Sequence, residues 1–145
     1  MVDTTPAPIT TPGALHHVEL WVPDLLRAAH EWGWLLTELG WSAFRSWGDG
    51  RSWRLGGTYL VVEQSPDLDD DTHRRRRPGL NHLAFHCGPR ARLDSLVEAG
   101  GQHGWQLMFA DRHPYAGGLQ HCAGYLENSD GFEVELVSRR QVRGG

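Results

Sequence analysis

Three short stretches of the chain carry side chains able to bind a metal ion or move a proton, in company that is otherwise apolar. "LHHVELW" brings His16, His17 and Glu19; "NHLAFHC" brings His82 and His86; "GFEVELV" brings Glu133 and Glu135. Each reads as a β-strand from its aliphatic and aromatic content, and strand side chains alternate between two faces. In the first, Val18, Leu20 and Val22 oppose His17, Glu19 and Trp21. In the second, Leu83, Phe85 and Cys87 oppose His82, Ala84 and His86. In the third, Phe132, Val134 and Leu136 oppose Glu133, Glu135 and Val137. A second face turned to water explains any one of these strands. Taken together, the three also suit a divalent metal. Neutral imidazoles and a carboxylate are ligands for Fe, Zn, Mn, Ni or Co, and two His with one carboxylate leave coordination positions open.

These strands sit in two half-chains of one plan. After the first strand, Asp24 is placed to cap a helix in which Leu25, Leu26, Ala29, Leu35, Leu36 and Leu39 recur at helical spacing until Gly40. "WSAFRSW", "SWRLG" and "TYLVVEQ" follow as short strands separated by Gly-containing turns. The second half repeats the order: the "LNHLAFHC" strand, the helix "PRARLDSLVEAGG", then "WQLMF", "HCAGYLE" and "GFEVELV". His17 and His82 occupy the same place in their opening strands, and the pair Gly40–Trp41 recurs as Gly104–Trp105. Each half reads βαβββ, which predicts an internal duplication. The expected boundaries are a tail at 1–13, one domain at 14–138 and a second tail at 139–145. Within the domain, the modules span about 14–65 and 79–138, with a linker at 66–78.

Composition excludes several functions. A formal charge of −4 gives no general attraction to nucleic acid or anionic lipid. The block Arg74–Arg77 follows the acidic run Asp67–Asp71 and reads as a solvated linker, with a phosphate-binding patch as the minority reading. No apolar run reaches the length of a membrane span. Cys87 and Cys122 match neither a metal spacing nor a disulfide framework, and "MVDTTPAPITTPGA" lacks the pattern of a secretory leader. A cytoplasmic protein is expected.

Two βαβββ modules, "HVELWVPDL" opening the first, "NHLAF" opening the second and "DGFEVELV" closing the chain resemble the vicinal oxygen chelate superfamily. Its members include glyoxalase I, extradiol dioxygenases and bleomycin-resistance proteins. The resemblance implies an α+β fold with a curved, half-closed mixed sheet around a concave cavity, and a homodimer. It further implies metal ligands at His17, His82 and Glu135. Aligning Tyr59 with Phe132 sets Val62 at the fourth ligand position, with Glu63 and Gln64 as the neighbouring alternatives. Three protein ligands are therefore expected, unlike glyoxalase I. Tyr125, Asn128, Gly131 and Glu135 match part of the dioxygenase signature, although Ser129 stands where that signature has Pro. Glu19 would repel a phosphonate, which disfavours the fosfomycin-resistance branch.

Further candidates surround this set. Glu19 and His86 share faces with His17 and His82 and suit general acid–base roles. Their alternative is a solvated or satisfied polar side chain. "DRHPYAGGLQHCAGY" is long for a connection and carries His113, Tyr115, His121 and Tyr125, so it reads either as a plain surface loop or as a lid on Gly hinges. Trp21, Val62 and Gln64 complete the expected substrate-binding set. Trp47 and Trp53 flank a turn and suit an aromatic wall, whereas Trp32, Trp34, Trp41 and Trp105 suit core or interface. The leading reading is a metal-dependent enzyme that uses a Lewis acid to stabilise an enolate or oxyanion formed on a small oxygenated substrate. Its rival is a metal-free protein that sequesters an aromatic natural product.

Overall fold

The computed structural model describes residues 10–139, so residues 1–9 and 140–145 of the two expected tails lie outside the described residues. The first module runs β1 (His17–Trp21), α1 (Leu25–Glu38), β2 (Ser42–Trp47), β3 (Gly50–Leu55) and β4 (Thr58–Glu63). The second runs β5 (His82–Gly88), α2 (Arg90–Gly100), β6 (Gln106–Met108), β7 (Ala123–Glu127) and β8 (Glu133–Ser138). Each module forms its own four-stranded mixed sheet, in the orders β1-β4-β3-β2 and β5-β8-β7-β6. The opening strand of each is parallel to the closing strand, and the other pairs are antiparallel. This is the expected α+β plan, and the two sheets do not close into a barrel.

Local chemistry sets the elements. Asp24 is extended, and its carboxylate accepts from the Arg27 backbone N–H at 2.9 Å, satisfying one of the free donors at the start of α1. Gly40, at φ 94°, takes the left-handed conformation that ends that helix. Trp32, Leu35 and Leu36 line the buried side of α1, all at most 1% exposed. Burying a Leu of this kind contributes about 1.5–3 kcal/mol.

Contacts across the modules join the two halves into one core. Trp32 meets Trp105 edge-on at 5.0 Å, and Trp105 donates its indole N–H to the Glu31 backbone carbonyl at 2.9 Å. The buried Glu31 carboxylate accepts from the Ser129 hydroxyl and backbone N–H, in the turn between β7 and β8. Arg27 pairs with Asp130 and Arg92 with Glu38. The expectation that Trp32 and Trp105 are structural therefore holds. Trp53 is also buried, leaving Trp47 exposed at the turn they flank. The strand expected from "WQLMF" is cut to three residues, because Trp105 turns into the core before it and Phe109, at φ 54°, leaves strand geometry after it.

Candidate functional site

The period-two reading of the strands places the chemistry-bearing side chains. Leu20 and Val22 lie in the core, whereas His17, Glu19 and Trp21 are exposed on the opposite face of β1. In the parallel register His17 pairs with Tyr59, Glu19 with Val61 and Trp21 with Glu63. The matching pairs in the second sheet are His82 with Glu133 and Ala84 with Glu135. The two sheets therefore align Tyr59 with Glu133 and Val61 with Glu135.

That register corrects one step of the sequence reading. Val62, expected on the cavity side opposite Glu135, is fully buried in the core. Val61 holds the equivalent position and lines the cavity. The error is one residue, and in a strand one residue exchanges the faces. Valine occupies either position, so no carboxylate stands at the equivalent of Glu135. Glu63 shares the face of Glu19, without any bulge. Gln64 accepts from the Leu25 backbone N–H at 2.9 Å, at the start of α1.

The second sheet gathers a compact polar cluster. His82 Nε2 lies 3.4 Å from one oxygen of Glu135, and His121 Nε2 lies 2.8 Å from the other. The Tyr125 phenol also hydrogen-bonds Glu135. Burial pushes the Glu135 carboxyl up, but the hydrogen bonds from His121 and Tyr125 and the charges of His121 and His82 outweigh it, so the group sits below its ordinary value. Burial, followed by the hydrogen bond to Glu135, pushes the Tyr125 phenol up to about 12. His82 Nδ1 is 2.7 Å from Asn81 Oδ1 and 3.4 Å from the buried Glu133, which also meets Arg75 at 3.6 Å. Thus His121, from the connection before β7, and Tyr125, from β7 itself, meet at Glu135. Glu133 lies on the same face as Glu135, as strand parity indicates, and meets His82 there.

The first sheet builds a separate cavity of about 560 Å³, lined in part by His16, His17, Glu19, Phe44, Trp47 and Tyr59. His17 stacks on Tyr59 at 4.9 Å, and its Nδ1 lies 2.9 Å from that of His16. His16 precedes β1 and joins this side despite its parity in the sequence. Trp21 donates its indole N–H to Glu19 at 2.7 Å. Burial, then the charge of Glu19, raises the Glu63 carboxyl.

The remaining candidates are dispersed. His86 is exposed on the face of His82, opposite Val137. His113 packs over Gly124 beside Leu93 and Val97, on the helix side of the sheet, where burial and then Arg90 lower its pKa. Tyr115 lines a third cavity with Arg90 and Arg139. The basic linker is not wholly solvated: His73 stacks on Phe132 at 4.1 Å.

A metal held by His17, His82 and Glu135 does not fit within one chain. His17 belongs to the first sheet, and among the described residues no three His, Cys, Asp or Glu side chains converge on a point that would hold an ion. One chain offers His82 and Glu135 as a pair.

Two βαβββ modules, each with its helix on the core face of its sheet and polar groups on the opposite face, define an α+β protein of the paired-module class. Residues 16–125 match the Glyoxalase/Bleomycin resistance protein/Dioxygenase superfamily, and the chain belongs to it. The uncharacterized protein YqjT of Bacillus subtilis (strain 168) is 42% identical over 126 residues, 86% of this chain and 98% of that protein. A solved structure from Bacillus halodurans, provisionally named a glyoxalase, is 42% identical with a TM-score of 0.84, covering 88% of this chain and 97% of its own. A glyoxalase/bleomycin resistance protein from Albidiferax ferrireducens T118 shares the fold at 19% identity and a TM-score of 0.69, over 87% and 98% of the two chains.

Proposed function

We propose that the chain is an enzyme acting on a small oxygenated substrate, with the Glu135 cluster as its reacting centre. The observation that carries this reading is one carboxylate held between two imidazoles and a phenol, His82, His121 and Tyr125. Glu135 stays ionised and so provides a fixed negative charge. His121 hydrogen-bonds it and is placed to take or return a proton. Tyr125 keeps its proton through the neutral range and serves as a donor. The similarity to the Bacillus halodurans protein supports glyoxalase-type chemistry.

His82 and Glu135 are suitable donors for a divalent ion, and His17 from a second copy of the chain would supply the third. An ion so held would supply a Lewis acid to an oxygenated substrate. The protein then works as a homodimer, in a reducing compartment such as the cytoplasm, which suits its two free cysteines. Elemental analysis of purified protein tests the reading. About one divalent ion per chain is expected in the wild type, and its loss in His82→Ala with the circular dichroism preserved. Metal-free wild type, or unchanged metal in the variant, would rule it out.

The aromatic first-module cavity, with Phe44, Trp47 and Tyr59, favours a second reading: a protein that sequesters a planar ligand without metal. Saturable quenching of tryptophan fluorescence by planar aromatic compounds, undiminished by a chelator, would support it over the first.

A further inference from the structure

The cavity beyond His121 belongs to neither polar cluster, although it adjoins one. It measures about 450 Å³, within the range of small-molecule sites, and Arg90, Tyr115, His121, Cys122, Ser138 and Arg139 line it. It opens where the parallel strands β5 and β8 end and α2 begins. Arg139 is anchored there by its backbone N–H, which donates to the Gly88 carbonyl at 2.6 Å. Ser138, the last residue of β8, donates its backbone N–H to the Cys122 carbonyl at 2.9 Å, which ties the strand end to the connection that forms much of the lining.

Its charge is one-sided. Among the described residues that line it, two are arginines and none carries a carboxylate, in a chain whose formal charge is −4. Asp94 holds the Arg90 Nε at 3.0 Å from the helix side, which orients that guanidinium. Guanidinium groups recognise carboxylate and phosphate oxygens through paired hydrogen bonds. Tyr115 and Ser138 add hydroxyls. His121 forms the shared wall: it lines this cavity while its Nε2 bonds Glu135. A molecule seated here therefore lies one imidazole away from the reacting centre.

We infer that this cavity binds the oxyanion of the substrate, a carboxylate or phosphate group, through Arg90 and Arg139, and so orients the oxygenated end of the same molecule toward His121 and Glu135. The placement of the substrate rests on the function proposed above; the binding of the anion does not.

Isothermal titration calorimetry of the full chain tests it, with inorganic phosphate, malonate and neutral malonamide as probes at constant ionic strength. Saturable binding of phosphate or malonate, and none of malonamide, is expected. Phosphate alone would identify a phosphate-bearing substrate, and malonate alone a carboxylate. Arg139→Gln and Arg90→Gln should each weaken the anion about tenfold or more, and Arg139→Lys less, because Lys keeps the charge without the fork. Arg139 is exposed, so its variants should keep the wild-type melting temperature. His82→Ala should retain anion binding while losing metal, which separates this inference from the reading of the Glu135 cluster. The absence of saturable binding by both anions, or affinities unchanged in both Arg→Gln variants, would overturn it.

Discussion

Glu135 and Tyr125 form one hydrogen-bonded pair whose two members are shifted in opposite directions, and the pair leaves a signature at each end of the pH scale. The Glu135 carboxyl lies below its ordinary 4.5 when folded, so its contribution to stability is present above that value. It is lost as the pH falls through the lower folded value. Melting temperatures measured from about pH 7 to pH 3 should therefore fall less steeply at the acid end in Glu135→Gln than in the wild type. Tyr125 is the opposite case. Its folded pKa is raised from 10.0 to about 12, so its contribution is complete below 10.0 and is lost as pH rises through about 12. Ultraviolet titration of the phenolates should show a component near 12 that is missing from Tyr125→Phe. If the late component persists in that variant, it belongs to another tyrosine and Tyr125 is not the shifted group. At this scale the sequence was informative about side-chain type and face, because strand parity needs only counting. It could not say that His121 reaches Glu135 from a loop, nor that Glu133 lies against His82. Those contacts depend on how a long connection folds back over β7 and β8.

The elements position the site through α1, which packs its own sheet and also grips the second module. Gly104, at φ 88°, shows how tight that grip is: a Cβ there would collide with the Glu31 carboxylate. Gly104→Ala combines a disfavoured backbone with displacement of a buried charge, and a loss of about 2–4 kcal/mol is expected in urea unfolding. Trp105→Phe keeps most of the apolar volume and removes the indole N–H bond to the Glu31 carbonyl, so a smaller loss of about 1 kcal/mol is expected. A Gly104→Ala protein as stable as the wild type would show that Glu31 does not fasten the modules. Helix limits and the order of elements along the chain were legible because Asp24, Gly40 and the apolar periods state them locally. The register of β4 was not. Matching Tyr59 to Phe132 by aromatic likeness put Val62 in the cavity, whereas the ladder matches Tyr59 to Glu133 and turns Val62 into the core. Likeness of side chains does not determine which residue faces which across a sheet, but the hydrogen-bonded ladder does.

At the scale of the whole molecule, the division of polar groups between two sheets decides what a single chain can do. His17 lies among aromatic residues of the first module, and His82 and Glu135 are in the second, while Trp21, Phe44 and Trp47 leave apolar surface exposed on the first sheet. A two-fold pair of chains, first sheet against second, would cover that surface twice over and would bring each His17 to the partner subunit's cluster. Mixing tests this without knowledge of the substrate. His17→Ala and Glu135→Ala chains each lack a donor for every site, so neither alone should retain metal. Unfolded together and refolded, they would pair at random, and about half of the dimers would join unlike chains. In each such dimer one site would combine the intact His17 of one chain with the intact Glu135 of the other, and the second site would lack both. Metal content should then recover to about a quarter of the wild-type value. No recovery, with the dimer confirmed by sedimentation, would mean that the donors do not meet across the two copies.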